Sequence, residues 1–432
     1  MTVPHLSTAL TGPLLELESR ILTAQPHIEH WFRSQWHNHA APFYGSVDLR
    51  NSGFKLAPVD MNLFPGGHNN LNPDFLPLSI QAAQAAVEKV CPEARSILLI
   101  PENHTRNTFY LQNVATLVHI FEQAGLKVRL GTLNPEITEV TELTSAGGDI
   151  VKLEPILRQG NRLKLADGFN PCVVLLNNDL SGGIPDILKD LEQNLLPPLH
   201  AGWSVRRKSK HFQAYEEVAK KFAKLLGMDP WLINPLTVGV QSTDFTGGKG
   251  LAALQEQVDQ VLSKTRRKYK EYGIPEKPFA IVKPDAGASG QGLLSLRDAK
   301  ELADMDPVML ARLNPARAGG GLSELIVQEG VLTQERVNEA VAEPVVYMMD
   351  RYVVGGFYRV HADRAADESL NAPGAHYLPL AFAQSSQLPR PGEKPGASAP
   401  NRFYMYGVIA RLGMLAASYE LEATDPEAEI YA

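Results

Sequence analysis

The chain has 432 residues, with 41 Lys and Arg against 48 Asp and Glu, a formal charge of −7. Apolar residues make up 44%, enough for a large core, so a disulfide-held miniprotein is excluded, and the acidic balance speaks against a binder of nucleic-acid backbones. No stretch approaches the ~20 uninterrupted apolar residues of a membrane helix, and Met1 to Thr11 has neither a basic start nor a long apolar run, so a cytoplasmic protein without membrane contact is expected.

The stretch from Ser46 to Leu71 packs many polar groups with little periodicity and reads as a loop around a small zwitterion. Arg50 or Lys55 would hold its carboxylate and Asp48 or Asp60 its ammonium, with Asn62 alongside. Pro65-Gly66-Gly67 suits a sharp turn. Ile80 to Val90 has helical spacing, and Ser96 to Ile100 is an apolar run stopped by Pro101, a buried strand. Pro101 to Asn107 adds a polar cluster that includes Arg106. Helical spacing resumes over Asn107 to Ala124 and stops at Gly125, and Lys127 to Leu130 reads as a strand. A third strand, Cys172 to Leu176, runs into Asn177-Asn178-Asp179. Cys172 and Cys91 are the only cysteines, a count that fits a reducing compartment, and Cys172 reads as a buried reduced thiol. Alternating helices and strands indicate an α/β layer, whose ligands gather at the carboxyl ends of strands.

Farther along, His211 to Leu226 is an amphipathic helix closed by Gly227, and the basic cluster Arg206 to Lys210 leads into it. Gly250 to Tyr272 is a second helix, and its basic run from Lys264 to Lys270 reads as a solvated face. Phe279 to Lys283, Glu324 to Gln328, Val345 to Met349 and Phe357 to Val360 read as strands. Leu388 to Pro400 is a loop or lid, and Phe403 to Glu420 a long helix. There is no internal repeat.

The sharpest feature is the strand Phe279 to Lys283 followed by Pro284-Asp285-Ala286-Gly287-Ala288-Ser289-Gly290-Gln291-Gly292. Glycines at 287, 290 and 292 let backbone N–H groups approach a phosphate, and Lys283 adds a compact positive charge. No Gly-Lys-Ser/Thr follows, so this is a glycine-rich hairpin and not a Walker loop. Some 40 residues later an apolar strand ends in Gln328-Glu329-Gly330-Val331, where backbone groups could read an adenine edge and the acid a ribose hydroxyl.

A lysine at a helix start, a lysine on a strand, a glycine-rich hairpin and a strand ending in Gln-Glu-Gly-Val resemble the ATP-grasp superfamily, whose members activate a carboxylate as an acyl phosphate. That resemblance implies Lys210 and Lys283 as phosphate lysines, Gly287 to Gly292 with Ser289 and Gln291 as the covering loop, and Gln328-Glu329 as the adenine hinge. Together, Val-Asp-Met-Asn-Leu-Phe-Pro-Gly-Gly, Glu-Asn-His-Thr-Arg-Asn, Arg-Lys-Ser-Lys-His-Phe and Ile-Val-Lys resemble the proteobacterial type of glutamate–cysteine ligase over essentially the whole chain. One departure is the hairpin itself, since Gly-Ala-Ser-Gly-Gln-Gly stands where the family has a bulkier Gly-Thr-Tyr-Gly-Met-Gly.

The resemblance implies an α/β ATP-grasp ligase with a substrate-binding region at 1–205 and a nucleotide-binding and catalytic region at 206–432. The activity it implies is ligation of the γ-carboxylate of glutamate to cysteine, with ATP and Mg²⁺ as cofactors, Lys283 at the phosphates and Arg359 stabilising the tetrahedral oxyanion. Asp350 and Asn371 are the metal ligands expected in the absence of a Glu-x-Asn signature. Expected partners are small molecules only, with homo-oligomerisation left open. Another ATP-grasp peptide ligase, such as a glutathione synthetase, and a non-catalytic nucleotide-binding protein are the alternatives.

Overall fold

The computed structural model of the protein describes residues 6–7, 13–243, 249–287, 292–305, 323–380 and 402–428. Its first elements are β1 (Leu6–Ser7), α1 (Pro13–Thr23), α2 (Gln25–Asn38), β2 (Tyr44–Asn51), β3 (Leu56–Asn62), α3 (Leu76–Val90), β4 (Ser96–Pro101), α4 (Thr108–Gln123) and β5 (Lys127–Thr132). The short strands β6 (Thr141–Thr144), β7 (Ile150–Pro155), β8 (Leu157–Gln159) and β9 (Arg162–Lys164) follow, then β10 (Val173–Asn177) and β11 (Asn194–Leu196). The second half carries α5 (Lys208–Leu226), β12 (Thr237–Thr243), α6 (Lys249–Glu271), β13 (Ala280–Pro284), β14 (Leu294–Leu296) and β15 (Ser323–Glu329). The last elements are β16 (Arg336–Val337), β17 (Ala340–Met349), β18 (Tyr352–His361), β19 (His376–Pro379) and α7 (Phe403–Thr424). Among the described residues no helix is long and apolar enough to cross a membrane.

The apolar runs at 96, 127 and 172 form β4, β5 and β10 of a six-stranded sheet ordered β11-β10-β4-β5-β7-β6, parallel except for the edge strand β6. Both faces of β4 and β10 are buried, which is why their sequences are continuously apolar instead of alternating. Ile97, Leu99, Val173 and Leu175 face α3 and α4, whereas Leu98, Ile100, Val174 and Leu176 face the main core. A four-stranded antiparallel sheet, β12-β15-β13-β14, packs Val240, Val282, Leu325 and Val327 against Leu254, Val258 and Val261 of α6.

The third sheet has seven strands and organises the molecule. It takes β1, β2 and β3 from the start of the chain and β16 to β19 from its end, with β2 paired to both β3 and β17. The division expected at residue 205 therefore does not follow the sheets. Nor is Ser46 to Leu71 the loop its aperiodic sequence suggests: most of it is the β2–β3 hairpin, buried on both faces, so polar and apolar side chains do not alternate. Buried α7, apolar almost all round, packs on this sheet and on α5. Helices α1 and α2 were not anticipated, although Leu14, Leu17 and Ile21 of α1 are buried at helical spacing.

The hairpin is also tied to the four-stranded sheet by one fully buried ion pair, Lys55 Nζ to Glu329 Oε2 at 2.7 Å. Trp231 Nε1 donates to the same carboxylate at 3.1 Å and Leu236 N at 3.0 Å, and the Lys55 ammonium lies 4.2 Å over the Trp231 ring. Burial pushes Lys55 down to about 8 against the pull of Glu329. Removing one partner strands the other charge in the interior. Lys55→Ala is expected to cost about 3–5 kcal/mol in urea unfolding, and Lys55→Met together with Glu329→Gln less than the single change; equal losses would show that the pair is not the tie.

Candidate functional site

The chemistry-bearing residues converge where β3, β13 and the start of α5 meet. Asp48 and Asp60 are direct partners across β2 and β3, and a register break beyond Asp48 leaves Val59 unmatched next to Asp60. Across β17, Arg359 Nη1 on β18 donates to Asp48 Oδ2 at 2.7 Å and to Glu343 Oε1 at 2.6 Å. Glu343 Oε2 accepts from Arg50 Nε at 2.8 Å. Burial drives the Asp48 carboxyl above its ordinary value, and Arg359 only partly offsets this. The Nε of Arg359 is buried and has no acceptor among the described residues.

Lys283, on β13, crosses to the hairpin and donates to Val59 O at 2.8 Å and to Gln328 Oε1 at 3.0 Å. Its buried ammonium is pushed down to about 8 by desolvation, and the negative charge of Asp60 works the other way. The lysine that pairs with Asp60 is Lys208, at 3.0 and 3.3 Å from the two carboxylate oxygens and 4.1 Å over the Trp203 ring. Burial would raise Asp60, but Lys208 and Lys283 together hold it far below the usual carboxylate range.

Asp285 is what aligns the two lysines. Immediately after β13, it accepts from Ser209 N at 2.7 Å and Ser209 Oγ at 2.6 Å, while its carbonyl accepts from Lys208 N at 2.8 Å. The α5 N-terminus has no cap from its own sequence, so a residue from β13 supplies one and fixes the helix start against the strand. A buried triad fixes it from the other side: Arg206 donates to Glu420 at 2.8 and 2.9 Å and to Met61 O at 2.9 Å, and His211 Nδ1 lies 3.0 Å from Glu420.

A second polar cluster lies at the carboxyl ends of β4 and β10, where a ligand edge was expected. Asn177 Nδ2 donates to Pro65 O at 2.9 Å and Tyr44 Oη at 3.1 Å, and its Oδ1 accepts from Asn113 at 3.1 Å and Tyr110 at 2.9 Å. These bonds pin the Pro65-Gly66-Gly67 turn. Tyr347 Oη also donates to Gly66 O, and Tyr347 feels the charges of Asp48 and Arg359, so the corner adjoins the charged seam. Beside it, burial and the charge of Asp179 push Glu102 up to about 7.

Several sequence-based roles need correction. Lys210 does not join Lys283, since two residues along a helix turn a side chain by ~200° away from Lys208; it is exposed and lines a cleft of about 330 Å³ with Arg207, Gln213 and Glu324. Lys55 and Glu329 neutralise each other, so neither is open to substrate or ribose. The hinge backbone is likewise engaged, Glu329 N with Leu236 O at 2.7 Å and Gly330 N with Phe279 O at 2.8 Å, because β15 is an inner strand. Gln328 keeps a buried amide nitrogen with no acceptor among the described residues.

Arg50 spends its guanidinium on Glu343 and on the carbonyls of Val331, Ala366 and Glu368. Arg106 is exposed on the loop after β4, and Asn62 caps Phe64 N at 2.9 Å. Asp350 pairs with Lys89 at 3.0 Å in the turn before β18, and exposed Asn371 lies beyond the other end of that strand. A ten-residue strand spans ~30 Å, so the two cannot share an ion. Gly287 and Gly292 have φ of 96° and 79°, which favour glycine; Ser289, Gly290, Gln291 and the segment 388–400 lie outside the described residues. Lys208, Asp285 and Glu343 were missed. The first two stood in quoted motifs, and only their partners reveal what they do.

Against this geometry, a profile of the GshA family, described as glutamate-cysteine ligase, matches residues 18–421. Among solved structures, one from Methylobacillus flagellatus KT, whose assignment as a gamma-glutamylcysteine synthetase is provisional, is 58% identical with a TM-score of 0.90, covering 98% of this chain and 100% of its own. A glutathione synthetase-like effector from Globodera pallida aligns at 12% identity and a TM-score of 0.35, covering 81% of this chain and 82% of its own. D-alanyl-alanine synthetase A from Vibrio cholerae aligns at 14% and 0.33, covering 68% and 75%. The last two scores are too low to establish a shared fold. Among curated proteins no sequence matches.

The electrostatic coupling in the seam can be measured. Asp60 holds the proton on Lys283, so Asp60→Asn is expected to move the Lys283 titration below its value of about 8. NMR of ¹³C-labelled lysine side chains reads this directly; an unchanged or higher midpoint would place the two groups in separate environments.

Proposed function

Because the chain belongs to the glutamate–cysteine ligase family, we propose that the seam between β3, β13 and α5 is its ATP-dependent ligation site, where the γ-carboxylate of glutamate is phosphorylated and then joined to the amine of cysteine. The carrying observation is that two buried lysines meet at the β3 strand, Lys208 paired with Asp60 and Lys283 bonded to the neighbouring Val59 O, beside an arginine whose buried Nε has no acceptor among the described residues. Two buried ammonium groups on either side of Val59-Asp60, one of them neutralised by Asp60, suit a polyphosphate that replaces their present partners. Phosphoryl transfer needs positioning and charge neutralisation more than covalent help. Lys208 and Lys283 supply the charge. The docking of the small antiparallel sheet on the β2–β3 hairpin, through Lys283 with Val59 O and Glu329 with Lys55, supports an ATP-grasp reading of the fold.

Arg359 is preset for the acyl-transfer step. Asp48 and Glu343 hold one face of its guanidinium, leaving Nε for the oxyanion that develops when cysteine's amine attacks. The corner at Asn177, Tyr110 and the 65–67 turn adjoins Arg359 through Tyr347 and forms the amino-acid side of the site.

For Mg²⁺, the donor set that fits is Asp48 and Asp60, opposed on one face of the hairpin, with Asn62 two residues farther along that face. Carboxylate and amide oxygens suit a hard cation that keeps part of its shell on substrate phosphates. When bound, the ion would neutralise charge developing on the transferred phosphoryl group.

A matrix of amino-acid pairs with ATP tests the reading. Phosphate release is expected only with glutamate and cysteine together; equal turnover of γ-glutamylcysteine with glycine would assign a synthetase instead. Lys208→Ala and Lys283→Ala should each lower kcat/KM at least ~100-fold while Lys210→Ala stays within ~5-fold. The reverse ranking of Lys208 and Lys210 would overturn the assignment of the seam.

A further inference from the structure

The two cysteines play no part in the ligation chemistry, yet they are brought together from positions 81 residues apart. Cys91 caps the C-terminus of α3, and Cys172 immediately precedes β10. Their Sγ atoms lie 2.6 Å apart, closer than unbonded sulfurs settle and about half an ångström beyond a disulfide bond. Each is held by its own backbone: Cys91 N donates to Val87 O at 2.8 Å, its carbonyl accepts from Ala94 N at 2.9 Å, and the Cys172 carbonyl accepts from Asn194 N at 2.9 Å. Both side chains are partly exposed, so a small reagent can reach them. Instead of the buried reduced thiol that the sequence suggests, Cys172 belongs to an accessible, preoriented pair.

We propose that Cys91 and Cys172 form a reversible dithiol–disulfide couple that is oxidised by low-molecular-weight disulfides. The thiolate of one cysteine attacks the external disulfide R–S–S–R, forming a mixed disulfide and releasing one RS⁻. The other cysteine then attacks the protein sulfur of that mixed disulfide, forming the Cys91–Cys172 bond and expelling the second RS⁻. The two protons lost by the cysteines end on the two RSH products, and the external disulfide is the species reduced. With the second thiol already in contact, the mixed disulfide resolves faster than it accumulates. Oxidation then bolts α3, which packs against β17 and β18, to the parallel sheet whose strand β10 ends at Asn177.

The probe is 2-hydroxyethyl disulfide, added in excess to the reduced full-length protein. Expected are an intact mass lower by ~2 Da, loss of both titratable thiols, a peptide linking Cys91 to Cys172, and full recovery with dithiothreitol. The oxidised form should melt higher by on the order of 5–10 °C, because a long loop is closed in the unfolded chain. Cys91→Ser and Cys172→Ser should each instead retain one 2-hydroxyethylthio group as a stable mixed disulfide. Two thiols still titratable in the wild type, a stable adduct on it, or a covalent dimer would each overturn the proposal.

Discussion

Carboxylates set opposite each other on adjacent strands repel, and burial makes that repulsion expensive unless cations are brought to them. Asp48 and Asp60, both partly buried, create this demand on the β2–β3 hairpin. Arg359 answers it from β18, Lys283 from β13 and Lys208 from the first turn of α5, so three separate regions must dock before the hairpin is electrostatically tolerable. The seam is therefore a constraint on the fold as much as a place for chemistry.

Around it, other buried ions act purely as anchors. Lys55 with Glu329 fastens the hairpin to the small sheet, and Arg206 with Glu420 and His211 fastens α7 to the start of α5. Lys55, Glu329, Arg206 and Glu420 spend their charges on one another, and among the described residues Arg359 Nε and Gln328 Nε2 in the seam and His211 Nε2 in the anchor are buried without a partner.

Much of the architecture was legible because burial writes plain signals. The runs at 96 and 172 are almost wholly apolar, as strands buried on both faces must be, and α5 keeps its amphipathic spacing up to Gly227 in the left-handed conformation. The hairpin was misread because strands buried on both faces, and carrying ions on one of them, show neither alternation nor an apolar run. Lys283 was legible from its strand and following glycines. Lys208 was not: which of two nearby lysines turns inward depends on where α5 begins, and that is set by Asp285, a residue 76 positions away. The ionic partnerships of Arg50, Lys55 and Glu329 are likewise long-range, and no local pattern announces them.

The pairing of β2 with β17 has a consequence for how the protein is made. Asp48 and Arg359 are separated by 311 positions, so during synthesis the hairpin leaves the ribosome long before the strand that covers its edge exists. The parallel sheet and its helices can assemble in the meantime, while β2 carries buried-type charges and an open hydrogen-bonding edge. Such high contact order slows folding and prolongs the exposure of sticky intermediates. A chain stopped before residue 340 would leave that edge open for good, because β17 is the strand that covers it.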